Sequence, residues 1–263
     1  MRILRRFTLA LALAGAVALP MTADNAKAAG EAKPPVDHSW SFEGVFGRYD
    51  RAQLQRGFRV YKEVCASCHG MELVAFRNLA EPGGPGFTED QVKVIAADFL
   101  VTDGPNEDGD MFEREGTPAD RFPPPFPNEN AARAANGGAY PPDFSVLAKA
   151  RPQGPDYLAS LLKGYVDPPE GEEGLPGQYY NLYFPGHWFA MAPPLFDEMV
   201  EYTDGTPMTV EQYAEDVTAF MMWAAEPKLE ERKRMGFQVM IFLLVLAIMM
   251  YFTKRKIWSN IEH

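Results

Sequence analysis

Cys65-Ala66-Ser67-Cys68-His69 is the stretch from which the rest of this chain is read. Two cysteines three apart, followed at once by a histidine, form the attachment pattern of a c-type haem. The two thiols become thioethers to the haem vinyl groups, and the adjacent imidazole is carried under the iron as its proximal ligand. Other uses of a CxxC pair ask for partners that the sequence lacks. A thioredoxin-like redox pair needs a βαβ setting, and a zinc site needs a second CxxC or an HxxxH pair. The chain holds only these two cysteines, so its whole thiol supply goes into this motif.

Working outward, both ends of the 263-residue chain read as appendages. Arg2, Arg5 and Arg6 precede an uncharged apolar run over residues 7–19, and small residues follow around Ala26-Lys27-Ala28-Ala29. That order is the n-region, h-region and cleavage pattern of a secretory signal peptide, assigned to residues 1–29, and the run is too short for a membrane helix. Removing the segment takes away four basic residues and Asp24, so the formal charge falls from −11 to −14. A mature chain this acidic repels nucleic acid and anionic headgroups and attracts a basic partner. With no spare thiol for a structural disulfide, packing and the cofactor must hold the exported fold.

Residues 235–253 carry no formal charge and are dense in Phe, Leu, Ile, Met and Val. As a helix they reach about 28 Å, close to the thickness of a hydrocarbon core. Basic clusters flank them: Arg232-Lys233-Arg234 is diluted by Glu226, Glu230 and Glu231, whereas Lys254-Arg255-Lys256 is not. The tail is therefore expected in the cytoplasm and the preceding domain outside it. Residues 30–227 are read as the exported haem domain, and 228–263 as anchor and short tail.

Within the exported part, residues 30–46 show little periodicity and read as an irregular strap with Trp40, Phe42 and Phe46. Leu54, Phe58, Tyr61 and Val64 then recur at helical spacing and deliver the chain to Cys65. Thr88 with Gln91 reads as a capping box opening a short helix. Residues 102–126 turn acidic, with Asp103, Glu107, Asp108, Asp110, Glu113 and Glu115, and read as solvated surface or a docking face. Asp167, Glu170, Glu172 and Glu173 form a second acidic loop. An Ala-rich helix over 128–140 is expected to stop at Gly137-Gly138. Asp156 is expected to cap the next helix, and Thr209 with Gln212 to box the last one, whose apolar stripe is Tyr213, Val217, Phe220, Met221 and Ala224. Strand signals are scarce. The fold class is all-α: a c-type cytochrome domain with long loop insertions plus one C-terminal transmembrane helix.

A haem iron held by His69 needs a sixth partner or leaves that position open. The candidates are His38, His187 and the methionines at 71, 111, 191, 199, 208, 221 and 222. Met221 and Met222 read as core filler on a helix, and Met71 lies too close to the attachment turn to reach the opposite face. Met191 sits in Phe189-Ala190-Met191-Ala192-Pro193-Pro194-Leu195, an apolar loop that two prolines stiffen. His187 is the runner-up; a histidine there would lower the potential, whereas Met/His ligation raises it.

The chain resembles the cytochrome c1 family over nearly all of its mature length. The resemblance rests on Val64-Cys65-Ala66-Ser67-Cys68-His69-Gly70, residues 134–143 (AANGGAYPPD), residues 179–195 (YYNLYFPGHWFAMAPPL), Asp204-Gly205-Thr206-Pro207, Trp223-Ala224-Ala225-Glu226-Pro227 and Arg232-Lys233-Arg234-Met235-Gly236. It implies one covalent haem c with Cys65 and Cys68 as thioether links and His69 and Met191 as axial ligands. It further implies Arg151 as a partner of a haem propionate, and Asn136, Pro142, Tyr157 and Phe184 as residues lining the haem. Some bacterial relatives carry a further cysteine pair bracing the domain near the Met loop, and this chain has none.

The function implied is that of an electron-transfer subunit of a quinol:cytochrome c oxidoreductase, with no acid, base or nucleophile of its own. Its partners would be cytochrome b and a Rieske iron-sulfur subunit of the same complex, membrane lipid, and a soluble basic cytochrome c docking on an acidic surface. The place implied is a bacterial inner membrane, with the haem domain in the periplasm. Two other classes compete: a membrane-anchored carrier working alone or within a terminal oxidase, and a haem peroxidase or gas sensor with an open sixth position. A shuttle needs less than these roughly 200 exported residues, and an open site would make Met191 incidental.

Overall fold

A computed structural model of the chain describes residues 32–260. The expected signal peptide therefore lies outside the described residues. Helix α1, Arg51–Val60, starts where Asp50 accepts from the backbone N–H groups of Ala52 and Gln53. That carboxylate satisfies two of the donors that a helix start leaves unpaired. The helix runs on as a π-helical turn, Tyr61–Cys65, which carries the chain into the CxxCH motif.

Helix α2, Glu89–Ala97, opens with the expected capping box of Thr88 and Gln91. It leads into an antiparallel hairpin, β1 (Leu100–Asp103) with β2 (Phe112–Glu115), in the register Leu100 to Glu115. The acidic run is thus not plain coil: Arg114 at its centre bonds Asp103 and, through two nitrogens, Asp120. Helix α3, Glu129–Ala135, takes its cap from Asn128 and ends ahead of Gly137 and Gly138, both at positive φ. Helix α4, Gly154–Lys163, begins three residues earlier than Asp156 would allow as a cap. Asp156 instead accepts from the Trp40 indole at 2.7 Å and from the His38 amide at 3.1 Å, fastening the strap. A two-residue pair, β3 (Tyr179–Tyr180) with β4 (Trp188–Phe189), brackets the turn before Met191.

Helix α5, Val210–Ala225, buries the expected stripe, with Trp223 added to it. Thr209 caps it, but the Gln212 side chain turns to Asp216 rather than back to the cap, so the box stays half-formed. The core centres where α1 crosses α5. A Cβ on Gly57 would lie 2.0 Å from the Asp216 carbonyl oxygen and 2.8 Å from the Phe220 Cβ, so only glycine permits this approach. Beside it the fully buried Asp216 carboxylate pairs with the Arg56 guanidinium at 2.8 and 3.1 Å. Phe58, Tyr61, Phe76, Phe122 and Phe220 form one edge-and-tilt aromatic cluster around the crossing.

Helix α6, Leu229–Ile257, is long and apolar enough to cross a membrane once. Its first turns are tied to the domain: Glu230 accepts from the Tyr49 amide, Lys228 pairs with Glu81, and Arg232 pairs with Glu226.

Candidate functional site

The π-turn ends in a compact loop, in which the amides of Cys68 and His69 both donate to the Cys65 carbonyl, at 3.1 and 2.9 Å. This places both thiols and the imidazole on one turn. Neither thiol is in a disulfide, and each is half-buried. Burial pushes the Cys65 thiol up to about 12, with the nearby Cys68 adding to the shift.

The His69 Nδ1 lies 2.8 Å from the Pro142 carbonyl oxygen. A carbonyl can only accept, so Nδ1 carries the proton and Nε2 keeps a free lone pair. That is the arrangement in which a second partner orients a ligating imidazole. Burial lowers the His69 pKa, partly offset by the Pro142 bond and by Asp143, which keeps the ring neutral. Phe144 stacks on the imidazole at 4.3 Å and 26°, and the Tyr61 hydroxyl donates to the His69 carbonyl.

The loop holding Pro142 is sewn to the loop after His69 by three bonds and braced by a fourth within itself. Phe144 N–H donates to Gly70, Glu72 N–H to the Asp143 carboxylate, Leu73 N–H to the Ser145 hydroxyl, and Ser145 N–H back to Asp143. Sequence reading named Pro142 but missed Asp143, Phe144 and Tyr61. Tyr61 was legible only as part of the helical stripe before Cys65, and Asp143 and Phe144 only as the Pro-Pro-Asp-Phe run, which gives no hint of a contact across more than seventy residues.

The Met191 segment is built differently. It leaves strand β4 and is held by the Tyr165 hydroxyl, which donates to the Met191 carbonyl at 3.0 Å. Tyr165 stacks on Phe189, and Phe189 stacks on Phe184 at 4.4 Å. His187 occupies the turn at φ 65°, where its Nδ1 lies 3.0 Å from the Asn181 carbonyl and its ring stacks on Tyr180 at 4.9 Å. Of the other methionines, Met71 and Met221 are buried in the core, and Met111 and Met199 are exposed. No hydrogen bond among the described residues links the Met191 segment to His69.

The remaining residues named from sequence lie at the end of α3, just before α4 and on α4. Asn136 closes α3 and donates from Nδ2 to the Ala132 carbonyl, leaving its side-chain oxygen free. Arg151 is exposed just before α4, bonds only the neighbouring Ala150 carbonyl, and has no carboxylate partner among the described residues. Tyr157 is half-buried on α4; burial raises its pKa, and the nearby positive charge of Arg151 opposes the shift. The donor set fits a covalent haem: two free thiols, a neutral imidazole with an open Nε2, a thioether on a short stiff segment, and an unpaired guanidinium.

A helical domain built around a single CxxCH turn and carried on one membrane-length helix defines the c-type cytochrome class. Residues 40–261 match the Cytochrome C1 family. The chain is 53% identical over 271 residues to cytochrome b/c1 of Bradyrhizobium diazoefficiens, a match covering 96% of this chain but 39% of that protein. It is 50% identical over 240 residues to cytochrome c1 of Rhodospirillum rubrum, covering 85% of this chain and 87% of that one. A mitochondrial relative from Arabidopsis thaliana, cytochrome c1 1, heme protein, is 50% identical over 228 residues, or 86% of this chain and 73% of the relative. The chain belongs to the cytochrome c1 family.

Proposed function

We propose that this chain is the haem-bearing electron-transfer subunit of a bc1-type quinol:cytochrome c oxidoreductase. It takes electrons from a Rieske iron-sulfur subunit and gives them to a soluble, basic cytochrome c. Cys65 and Cys68 hold one haem c through thioethers, His69 Nε2 and the Met191 thioether are its axial ligands, and Arg151 faces a propionate. The observation that carries the reading is the His69 bond to Pro142, which leaves Nε2 as the one free ring nitrogen on a turn that already presents two thiols. A haem bound there supplies a one-electron iron couple, whose potential Met/His ligation and burial raise.

The chain's own residues do the rest. Pro142 fixes the imidazole tautomer, Phe144 and Tyr61 keep water from the proximal side, and Tyr165 restrains the Met191 backbone. Residues 30–227 form the exported domain, 1–29 are a leader removed on export, and the basic tail from Lys254 onward lies on the cytoplasmic side.

Of the two acidic loops, we assign the acceptor to the one over residues 167–173. Gly174, at its end, lies flat against Trp188, three residues before Met191: a Cβ there would be 2.2 Å from the Trp188 ring. The β1–β2 hairpin instead follows α2, away from that segment in the chain, and Asp103 at the end of β1 and Asp120 beyond β2 are already paired with Arg114. Opposite charges speed encounter and lose their effect with salt.

The test is stopped-flow oxidation of the reduced full-length protein by a basic cytochrome c at low and high salt. Reversing Glu170, Glu172 and Glu173 to Lys is expected to slow the low-salt rate about tenfold or more and flatten its salt dependence. Reversing Glu107, Asp108 and Asp110 is expected to do less. The opposite ranking would move the docking face to the hairpin. The covalent link is read separately: Cys65→Ala and Cys68→Ala each leave one thioether, and the double variant none, by haem stain on a denaturing gel.

A further inference from the structure

Two large apolar side chains, Val45 and Phe46, stand out from the strap at 67% and 77% exposure, while Trp40, Phe42 and Tyr49 on either side of them are buried. They occupy the tip of a closed loop. The Arg48 amide donates to the Ser41 carbonyl across its base, and the Glu43 amide donates to Trp40. Gly44 sits at φ 66°, and a Cβ on Gly47 would fall 1.8 Å from the Glu43 carbonyl oxygen, so two glycines are needed to turn so tightly. A tight loop that spends two glycines to expose a Val-Phe pair is a built feature rather than a stray surface residue.

The direction of the loop can be read against α6. Lys233 donates from Nζ to the Phe42 carbonyl at 2.6 Å and to the Gly47 carbonyl at 3.3 Å, which ties the loop's base to the neck of the helix. The tip lies further along: the Phe46 ring meets Phe237 edge-on at 5.8 Å. Four residues of helix, about 6 Å, separate the two ties. Phe237 already belongs to the uncharged run that begins at Met235. The loop therefore points toward the membrane from the haem-domain side and ends at the level where the apolar run starts. Lys233, Arg234 and the exposed Arg48 and Glu43 remain at its base, the level of headgroups.

We propose that the loop over residues 43–47 is a second membrane contact of this protein, in which Val45 and Phe46 enter the acyl chains beside the first turns of α6. Together with the ties at the first turns of α6, it would fix the tilt of the domain over the bilayer. The occupant is lipid because the patch is continuous with the lipid-facing surface of α6, whose residues from Phe237 onward are exposed. The inference rests on α6 spanning the membrane.

The test places the photocrosslinker p-benzoyl-phenylalanine, a close relative of the native ring, at Phe46 in the full-length chain in its membrane. The same probe goes at Leu244, midway along the apolar run, and at Val94, an exposed site on α2. The expected result after illumination is a mass shift of one phospholipid on the peptides carrying positions 46 and 244, and none at 94. An adduct of position 46 with another polypeptide, or no adduct there while 244 is labelled, would overturn the proposal. Failure to label 244 would instead overturn the reading of α6, and the proposal with it.

Discussion

The His69 turn and the Met191 segment, the two proposed halves of the haem site, are held in opposite ways. The His69 half grows out of the core: α1 crosses α5 at Gly57, the π-turn follows directly, and the loop with Pro142 is bonded at three points to the loop after His69. The Met191 half hangs from a two-residue strand pair that the buried Asn181 ties to the Leu161 carbonyl and Leu182 to the Gly164 carbonyl, while Met191 itself has one side-chain bond, from Tyr165, beside a short aromatic stack. A covalently anchored ligand would need an unyielding seat, because any shift of the turn would move both cysteine sulfurs and the imidazole together. A thioether ligand needs only a segment that returns to one position. The stability of the domain and the stability of the ligand set should therefore be separable.

Phe144→Ala breaks the firm half most directly. It removes a buried ring stacked on His69 and is expected to cost about 4 kcal/mol, against about 1 kcal/mol for Phe184→Ala on the half-buried hairpin. Thermal melts of the detergent-solubilised chain compare them, and equal costs would erase the distinction. Gly57→Ala tests the crossing beneath. Its methyl group meets backbone, so the helices must part, at about 3 kcal/mol and a fall in Tm of about 10 °C.

Tyr165→Phe sharpens the other half. Losing the bond to the Met191 carbonyl is expected to cost about 1 kcal/mol locally, seen as faster amide exchange over residues 190–192 with Tm almost unmoved. A fall in Tm as large as that of Gly57→Ala would mean that the hairpin is part of the core.

The smallest effect is a pH dependence. The Thr206 backbone N–H, with the Thr206 hydroxyl and Arg56, holds the Asp204 carboxyl down at about 2 against an ordinary 3.8. A lowered folded-state pKa contributes stability that is present above the unfolded value and lost as pH falls through the folded one. Asp204→Asn should therefore flatten the loss of stability between about pH 4 and 2 by a small amount, because the group is exposed. Its effect should leave both halves of the site alone.

These contrasts also explain what could be read in the sequence. The CxxCH turn, the α1 and α5 stripes and the apolar run of α6 are each local patterns, and all were legible. So was the Thr88 cap, where both partners lie three residues apart. The misreadings arise where a distant group competes. Asp156 has the residue type of a cap, but Gln153 takes the cap position at φ 60° and the strap claims the carboxylate. Gln212 has the spacing of a capping box, but Asp216, one turn on, takes its amide. The strands went unseen because two to four residues are too few to show an alternation. Phe144 and Tyr165, the residues that brace the two halves, act across loops whose pairing no local pattern records.

We propose that His69 and Met191 close the haem site from opposite faces. The measurement that tests it most directly is a potentiometric titration of the purified full-length protein, followed through reduced-haem absorption with and without carbon monoxide, on the natural chain and on Met191→Leu. A clearly positive midpoint and no carbon monoxide binding are expected for the natural chain. In Met191→Leu the expected result is covalent haem that is retained, a much lower midpoint and ready carbon monoxide binding. An unchanged midpoint in Met191→Leu, or carbon monoxide binding by the natural chain, would contradict it and turn attention to His187 or to an open iron.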